Sequence, residues 1–341
     1  METILSANLR QVAVEVADAS AVGAARRLAA EAARRAGLTE ARAGDVALLA
    51  TEAATNILKH AGKGEILVRP LGAGASGGVE ILAIDSGPGM ADPARSMVDG
   101  NTTAGSYGIG LGAMRRVANI FDIHTEPGKG TVIAMAVYGD GGTGPAGAVH
   151  VGAICVPMPG ESACGDAWAL AIGPTEAHIL VADGLGHGPL AAAASETACD
   201  VLAANPGVPP AAAIQDMHLA LRATRGAAIG IARIDTIAEE VTFAGVGNIM
   251  ASIYDGAARR QMVSHNGIVG SNMHKVQEFT HPWNAGSLML LCSDGIGTRW
   301  DLNQYAGLAL CQPSVIAGVL YRDFARGRDD ATVLVVREHQ A

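Results

Sequence analysis

The sequence of 341 residues is poor in aromatic residues (4%) and in lysine, which supplies only four of its 24 basic residues. Its net charge of −9 argues against a general binder of nucleic acid or of anionic membranes. The five cysteines form no Cys-x-x-Cys pair and have no histidine at metal-ligand spacing, so we expect reduced thiols and a cytoplasmic protein.

Long apolar runs are also missing. Charged residues interrupt the alanine-rich stretches before the length of a membrane span is reached. Residues 1–20 include charged side chains within the first ten positions and lack the continuous apolar segment of a signal peptide. We therefore expect neither a membrane anchor nor an export signal.

Apolar residues (49%) and 44 glycines are abundant, and the length suggests about two domains. The segment GDGGTGPAG at 139–147 lies between two strand-like apolar runs, and its Gly and Pro density is typical of a linker. We therefore expect one domain at 1–138 and a second at 148–341.

The first domain alternates helical and strand patterns, which predicts an α/β fold. A strand is expected at 9–16, a helix capped by Ser20, a second helix capped by Thr39, and a helix near 110–121. The second domain is richer in strands and predicts an α+β fold. Its expected elements are strands at 167–173, 176–183 and 331–336, short strands between 227 and 293, and helices at 189–204, 210–223 and 313–325.

One group of motifs in the first domain suits a nucleotide. Glu52 and Asn56 are four residues apart, so they share one helix face, where a carboxylate suits a general base and an amide suits a Mg²⁺ ligand. Asp85 ends an apolar strand and could accept from the adenine amine, with Gly87 and Gly89 allowing close approach.

A glycine run at 105–112 precedes or opens a helix, where free N–H groups suit phosphates. It lacks the Gly-Lys-Ser/Thr of a P-loop and the short strand–turn–helix unit of a Rossmann motif. Each motif alone has a structural alternative, such as a solvated helix face or an ordinary turn. Their order along the chain favours a nucleotide site.

These motifs resemble the Bergerat-type ATPase fold of histidine kinases, gyrase and anti-sigma serine kinases, and most closely the RsbT/RsbW-type switch kinases. The resemblance covers about residues 5–138 and rests on HAGKG, DSGPGM and MVDGNTTAGSYGIGLGAMRRV. It implies an α/β sandwich that uses ATP and Mg²⁺ to phosphorylate Ser or Thr on another protein.

The resemblance also implies residue roles. Glu52 would be the general base, Asn56 the Mg²⁺ ligand and Asp85 the adenine reader. Further nucleotide-binding positions would be Gly87, Gly89, Gly108, Gly110, Gly112 and Thr131. RsbW-type kinases carry an arginine where this chain has Ser106, so the positive charge at the γ-phosphate has only Arg115 and Arg116 as candidates.

Four aspartate-bearing segments stand out in the second domain, each at the edge of an apolar run. They contain Asp166, Asp183, Asp294 and the pair Asp329–Asp330. Several carboxylates without His or Cys favour Mg²⁺ or Mn²⁺. For a single Asp-Gly pair, turn chemistry is the simpler explanation, and four such segments together favour a metal site.

This set resembles the SpoIIE/RsbX branch of the metal-dependent protein phosphatases over about residues 148–338. The resemblance implies a β-sandwich flanked by helices, with a two-metal centre of Mn²⁺ or Mg²⁺. Asp183 would be catalytic and bridge the metals. The Gly184 carbonyl and Asp166 would serve one metal, and Asp294 and Asp329 the other, although a shift by one to Asp330 stays open.

Three further residues lie close to these motifs in sequence. His187 could protonate the leaving serine oxygen or could be a turn residue, and Glu161 could support the site from behind the ligands. Cys164, like Cys292, is expected to pack rather than to bind metal.

Taken together, the two resemblances imply a bifunctional regulator that phosphorylates and dephosphorylates a STAS-domain antagonist or stressosome protein. Its output would be control of a sigma factor or another effector. An alternative keeps the phosphatase and makes the first domain a module that binds nucleotide and sequesters a partner. The dominant activity, the substrate's identity, the oligomeric state and the physiological metal stay open.

Overall fold

The computed structural model describes residues 2–4, 10–72, 77–97, 110–142, 144 and 147–338. Contacts divide the chain into two compact units. The amino-terminal unit comprises Leu9–Gly144 and Leu310–Arg322. The carboxy-terminal unit comprises Met1–Asn8, Pro145–Ala309 and Asp323–Ala341.

The strands of the described residues are β1 (Glu2–Ile4), β2 (Val12–Val16), β3 (Gly64–Leu71), β4 (Gly78–Asp85), β5 (Ile120–Glu126), β6 (Gly130–Tyr138), β7 (Val149–Val156), β8 (Asp166–Ile172), β9 (Glu176–Gly184), β10 (Ala227–Asp235), β11 (Glu240–Val246), β12 (Met250–Asp255), β13 (Ala258–Met262), β14 (Phe279–Pro282), β15 (Leu288–Cys292) and β16 (Ala331–Glu338). The α-helices are α1 (Ala19–Arg35), α2 (Glu40–Asn56), α3 (Pro93–Ser96), α4 (Leu111–Val117), α5 (Pro189–Ala204), α6 (Pro210–Ala220) and α7 (Pro313–Phe324).

The amino-terminal unit is an antiparallel sheet in the order β2-β3-β4-β6-β5, with α1 and α2 packed against it. Alanines such as Ala29 and Ala53 are fully buried at this contact, together with Leu49 and Ile81. Small side chains let the helices approach closely, which explains the alanine-rich sequence.

One of the two predicted N-terminal helix caps differs from the structure. Helix α1 is capped by Asp18, not Ser20, because the Asp18 carboxylate accepts from the backbone N–H groups of Ser20 and Ala21. Thr39 caps α2, as predicted. Helix α4 ends at Val117, earlier than predicted, because Asn119 bonds to the backbone of β6 and β5 begins at Ile120.

Helix α7 contributes most of its length to the amino-terminal unit, although its sequence lies beyond the 139–147 segment. A Cβ on Gly318 would lie 2.6 Å from Val132 of β6. The Ser314 hydroxyl donates to Glu80, and the backbone N–H of Gln312 donates to Asp122 over 2.6 Å. The sequence division at 139–147 assigned this segment to the second domain, whereas its contacts assign it to the first unit.

The carboxy-terminal unit is a sandwich of two antiparallel sheets. One has the order β1-β8-β9-β10-β11-β14 and the other β13-β12-β15-β16-β7. Buried residues such as Trp168, Phe243 and Leu291 form the core that includes strands of both sheets. Helices α5 and α6 cover the six-stranded sheet through a second buried cluster. The two units confirm the predicted fold classes.

Within these described ranges, no helix combines the length and the hydropathy needed to cross a membrane.

Candidate functional site

Two aspartates meet across the six-stranded sheet. Asp166 opens β8, Asp183 lies near the end of β9, and the antiparallel register places them directly opposite each other. Directly opposed residues have Cβ atoms about 5 Å apart. The two strands therefore bring both carboxylates to one edge of the sandwich.

The other sheet supplies a second pair. Strand β15 ends at Cys292, which pairs with Val333 of β16. Asp294 follows the first strand and Asp329 precedes the second, so both lie at the same end of this strand pair. The amide of Asn248 donates to Asp294 Oδ2 over 2.8 Å.

Asp183, Asp294 and Asp329 line one cavity of about 560 Å³, together with Asn248 and Arg328. We call this the acidic cavity. Asp166 is 1% exposed and is paired with Asp183 in the sheet.

The next residue, Asp330, is engaged elsewhere. Its carboxylate accepts backbone N–H groups from Met158 (2.8 Å) and Gly165 (2.9 Å), and its side chain is buried. Asp329 lines the cavity, whereas Asp330 ties two loops together.

The charge of the aspartates is only partly compensated: Arg326 lowers the pKa of Asp294, while burial and Asp329 raise it. Burial raises the pKa of Asp183, and the neighbouring carboxylates of Asp166, Asp294 and Asp329 raise it further. Burial likewise raises the pKa of Asp166. Among the described residues, no Lys or Arg forms an ion pair with these aspartates, and Asp166 Oδ2 has no hydrogen-bond partner. Such a set fits divalent cations.

In the described part of the chain, no three His, Cys, Asp or Glu side chains by themselves close a metal site. Gly184 is required by packing within the protein, because a Cβ there would lie 2.1 Å from the Ala191 carbonyl oxygen.

His187 lies at the rim of the acidic cavity and is paired with Glu161. Its Nδ1 is 2.7 Å from Glu161 Oε1, which holds the imidazole in place.

Cys164 is buried with its Sγ 3.7 Å from Cys155 Sγ, and Cys292 is fully buried. Burial also raises the pKa of Cys292.

The sequence did not single out Asn248 or Arg328. Arg328 directly precedes Asp329, so its position in the chain was a usable signal. Asn248 lies 46 residues from Asp294, and only the fold brings the two side chains together.

The nucleotide motifs lie on α2 and β4. Glu52 and Asn56 are half-buried and occupy one face of α2, and Asn56 is its last residue. A π-helical turn at Ile57–Ala61 follows directly. Such turns often occur at functional sites.

Asp85 ends β4 and pairs with Thr131 of β6. The Gly87 N–H donates to Asp85 Oδ1 over 2.8 Å, and burial raises the pKa of this carboxyl. The Thr131 and Thr125 hydroxyls are 3.0 Å apart. One side of the Asp85 turn is therefore held in place by β5 and β6.

The glycines after Asp85 are required by packing within the protein. A Cβ on Gly87 would lie 2.5 Å from that of Ala61. Gly89 has a φ of +63°, and a Cβ there would lie 2.1 Å from the Glu126 carbonyl oxygen. The turn therefore takes its shape from contacts with the π-helical turn and with β5.

The remaining predicted nucleotide residues lie around α4. Gly110 is its N-terminal cap residue and Gly112 is buried within it, while Arg115 and Arg116 are exposed at its other end. Gly108 and Ser106 lie outside the described residues.

Comparison with known proteins matches both parts of the chain. Residues 16–137 match the family model of the histidine kinase-like ATPase domain, and residues 173–339 match that of stage II sporulation protein E (SpoIIE). Serine/threonine-protein kinase RsbT of Bacillus subtilis (strain 168) is 34% identical over 110 residues, which is 32% of this chain and 83% of that protein. Phosphoserine phosphatase RsbX of the same organism is 25% identical over 138 residues, or 40% of this chain and 69% of that protein.

A solved structure described as "The bacterial stressosome: a modular system that has been adapted to control secondary messenger signaling" is also similar. It aligns with a TM-score of 0.52 and 30% identity, covering 55% of this chain and 99% of its own. Motif order, fold and relatives agree. The chain therefore belongs to the histidine kinase-like ATPase family through an RsbT-type domain, and its carboxy-terminal part is similar to SpoIIE and RsbX.

Proposed function

We propose that this chain is a bifunctional partner-switching regulator. The amino-terminal unit transfers phosphate from ATP to a Ser or Thr of a STAS-domain antagonist or stressosome protein, and the carboxy-terminal unit removes it. The observation that carries the proposal is the set of aspartates at the edge of the sandwich, which form no ion pair with Lys or Arg within the described residues. Similarity to RsbT and RsbX supports the paired activities.

In the carboxy-terminal unit, the aspartates would hold two Mn²⁺ or Mg²⁺ ions. Asp183 would bridge them, Asp166 and the Gly184 carbonyl would serve one, and Asp294 and Asp329 the other. When bound, the ions neutralise phosphoryl oxygens and lower the pKa of water. The engagement of Asp330 by two backbone N–H groups supports the choice of Asp329 as the ligand.

The chain's own acid at this site is His187. Its imidazole lines the cavity, and Glu161 fixes the Nδ1 side of the ring, which leaves Nε2 to donate a proton. In the proposed reaction, that proton passes to the seryl or threonyl oxygen as it leaves phosphorus. Glu161 acts through His187 by orienting it.

In the amino-terminal unit, Glu52 would accept the proton of the attacking hydroxyl and Asn56 would hold Mg²⁺ one helical turn away. Asp85 and Thr131 would contact adenine, and the described glycines of the set (Gly87, Gly89, Gly110 and Gly112) would shape the pocket. The half-buried face shared by Glu52 and Asn56 supports these roles. The phosphorylated partner would in turn release or capture a sigma factor or another effector.

The phosphatase activity is tested with an aryl phosphate in the presence of Mn²⁺. Asp294→Asn should reduce hydrolysis by about 100-fold or more, since it removes a charged ligand. Asp200→Asn is the matched control, because Asp200 is an exposed carboxylate on α5. Wild-type protein that hydrolyses no aryl phosphate with Mn²⁺ or Mg²⁺ would contradict the assignment.

The kinase activity is tested with labelled ATP and a cognate STAS protein, in an Asp183→Asn background that disables the phosphatase. Label should accumulate on the STAS protein and disappear with Glu52→Gln. Glu40→Gln is the control, because Glu40 is exposed on the same helix. If ATP binds but no Glu52-dependent phosphoprotein forms, the amino-terminal unit is a nucleotide-binding module that sequesters its partner.

A further inference from the structure

We propose that Arg225 and Arg328 bind the phosphate group of the substrate at the mouth of the acidic cavity. This inference rests on the proposed phosphatase function. It deepens that function by naming the groups that would bind the phosphate, for which no basic residue was evident from the sequence. Each arginine comes from a different sheet of the sandwich. Arg225 precedes β10 by two residues, and Arg328 precedes β16 by three.

Arg328 is placed by the same segment that positions Asp329. Its side chain lines the cavity and is exposed, while Asp329 beside it is half-buried. The backbone N–H of Asp330 donates to Asp329 Oδ1 over 3.0 Å, which holds this turn. The guanidinium is therefore carried at the rim by a segment that is anchored immediately after it.

Arg225 lies beside the cavity at Gly186. A Cβ built on Gly186, which lines the cavity, would lie 2.9 Å from Arg225 Nη1. The backbone on both sides is fixed, because the Leu185 N–H donates to the Gly226 carbonyl over 3.0 Å. The guanidinium therefore lies over the glycine turn that leads from Asp183 to His187.

The positions of the charged groups indicate separate binding roles for the carboxylates and the arginines. The carboxylates are buried or half-buried, whereas both arginines are exposed at the rim. Within the described ranges, neither arginine has a hydrogen bond or an ion pair, although Arg328 lines the same cavity as Asp183, Asp294 and Asp329. The arginine that lowers the pKa of Asp294 is Arg326. If these carboxylates were placed to bind the arginines, ion pairs between them would be present. The arrangement instead leaves the carboxylates for cations and the guanidiniums for an anion.

A phosphomonoester dianion matches this layout. Guanidinium groups bind phosphate oxygens through paired N–H donors, so two of them can fix the group's orientation. The phosphorus would then face inward to the metals, and the ester oxygen would face His187. The arginines act by binding, so their removal should weaken affinity more than turnover.

The experiment compares Arg225→Met, Arg328→Met and the double variant with wild type, using aryl phosphate hydrolysis with Mn²⁺. Each single change should raise KM on the order of tenfold, the effect of losing one charged hydrogen-bonding group, with kcat changed less than threefold. The inhibition constant of inorganic phosphate should rise in parallel. Lysine at either position should restore part of the affinity, and Arg222→Met, an exposed neighbour of Arg225, should behave as wild type.

A direct measurement of inorganic phosphate binding to the Mn²⁺-loaded protein separates this proposal from the proposed function. If wild type hydrolyses nothing but binds phosphate in an arginine-dependent manner, the phosphatase assignment fails and the arginine site stands. Unchanged KM and phosphate inhibition in the double variant would overturn the arginine site. A shifted Mn²⁺ requirement with unchanged phosphate binding would also overturn it, because the arginines would then support the carboxylates.

Discussion

Two buried carboxylates, one in each unit, differ in whether the protein supplies partners for their charge. Glu80 on β4 is 7% exposed and pairs with Arg69 over 2.6 Å, while Ser314 donates to its other oxygen. Asp166 on β8 is 1% exposed, yet one of its oxygens has no partner and its nearest charges are other carboxylates. The first carboxylate is satisfied by the protein itself.

The difference teaches which buried charges indicate a ligand. Burying an ion without a partner is costly, so a fold that keeps one gains from a cation supplied from outside. Glu80 serves the folding of the amino-terminal unit, whereas the environment of Asp166 fits the proposed metal site. Four predictions test this contrast, from the largest expected effect to the smallest.

Arg69→Met should have the largest effect. It leaves Glu80 buried without its cation, which typically costs about 3–5 kcal/mol of unfolding free energy. Far-UV circular dichroism in urea should show the amino-terminal unit unfolding earlier. All three tryptophans lie in the carboxy-terminal unit, so their fluorescence transition should not move. The double variant Arg69→Met/Glu80→Met should recover most of the loss. No recovery would mean that Arg69 acts by packing alone.

Adding Mn²⁺ should stabilise the carboxy-terminal unit, because only the folded state gathers the aspartates. At a hundredfold excess over Kd the gain is about 2.7 kcal/mol, or roughly 5–10 °C in Tm by tryptophan fluorescence. Asp183→Asn should abolish most of this shift and raise the Tm of the metal-free protein. A metal-free Asp183→Asn protein that is less stable than wild type would show that the carboxylate has a structural partner.

Ser314→Ala should destabilise the amino-terminal unit by about 1.5 kcal/mol, since a hydroxyl that donates to a buried carboxylate is lost. The effect should appear in circular dichroism and not in tryptophan fluorescence. Thr197→Ala, at a half-buried position on α5 whose hydroxyl donates to the Ala193 carbonyl, is a control that should leave the circular dichroism transition of the amino-terminal unit unchanged.

Substitution of His178 tests whether a buried polar side chain without a hydrogen-bond partner always indicates a ligand-binding site. Both ring nitrogens lack partners among the described residues, and burial lowers its pKa, with Arg233 adding to the effect. The unfolded chain therefore takes up the proton first as pH falls below about 6.5, so stability present above that pH is lost on acidification. The aspartates with raised pKa values gain stability over the same range, so the measure is a comparison between proteins. From pH 7 to pH 5 the Tm of wild type should fall by a few degrees relative to that of His178→Leu. His274→Gln, an exposed histidine, should keep the wild-type slope with or without Mn²⁺.

The fold classes and the location of the aspartates at strand ends could be predicted from the sequence, because short motifs and strand patterns are local signals. The sequence favoured Asp329 and left Asp330 open, because the contacts of Asp330 with the N–H groups of Met158 and Gly165 are not visible in any local pattern. It missed Arg225 because its neighbour in space, Gly186, is 39 residues away in the chain. The amphipathic pattern of α7 predicted a helix and said nothing about which sheet it would cover.

The position of α7 has a consequence for synthesis on the ribosome. The sheet of the amino-terminal unit is complete once Tyr138 has emerged, but Ser314, which bonds to Glu80, and Gly318, which packs against Val132, are made much later. At about 5–20 residues per second, the delay is on the order of ten seconds or more. During that time part of the nascent sheet lacks its cover, so the first unit reaches its final state only after most of the second has been translated.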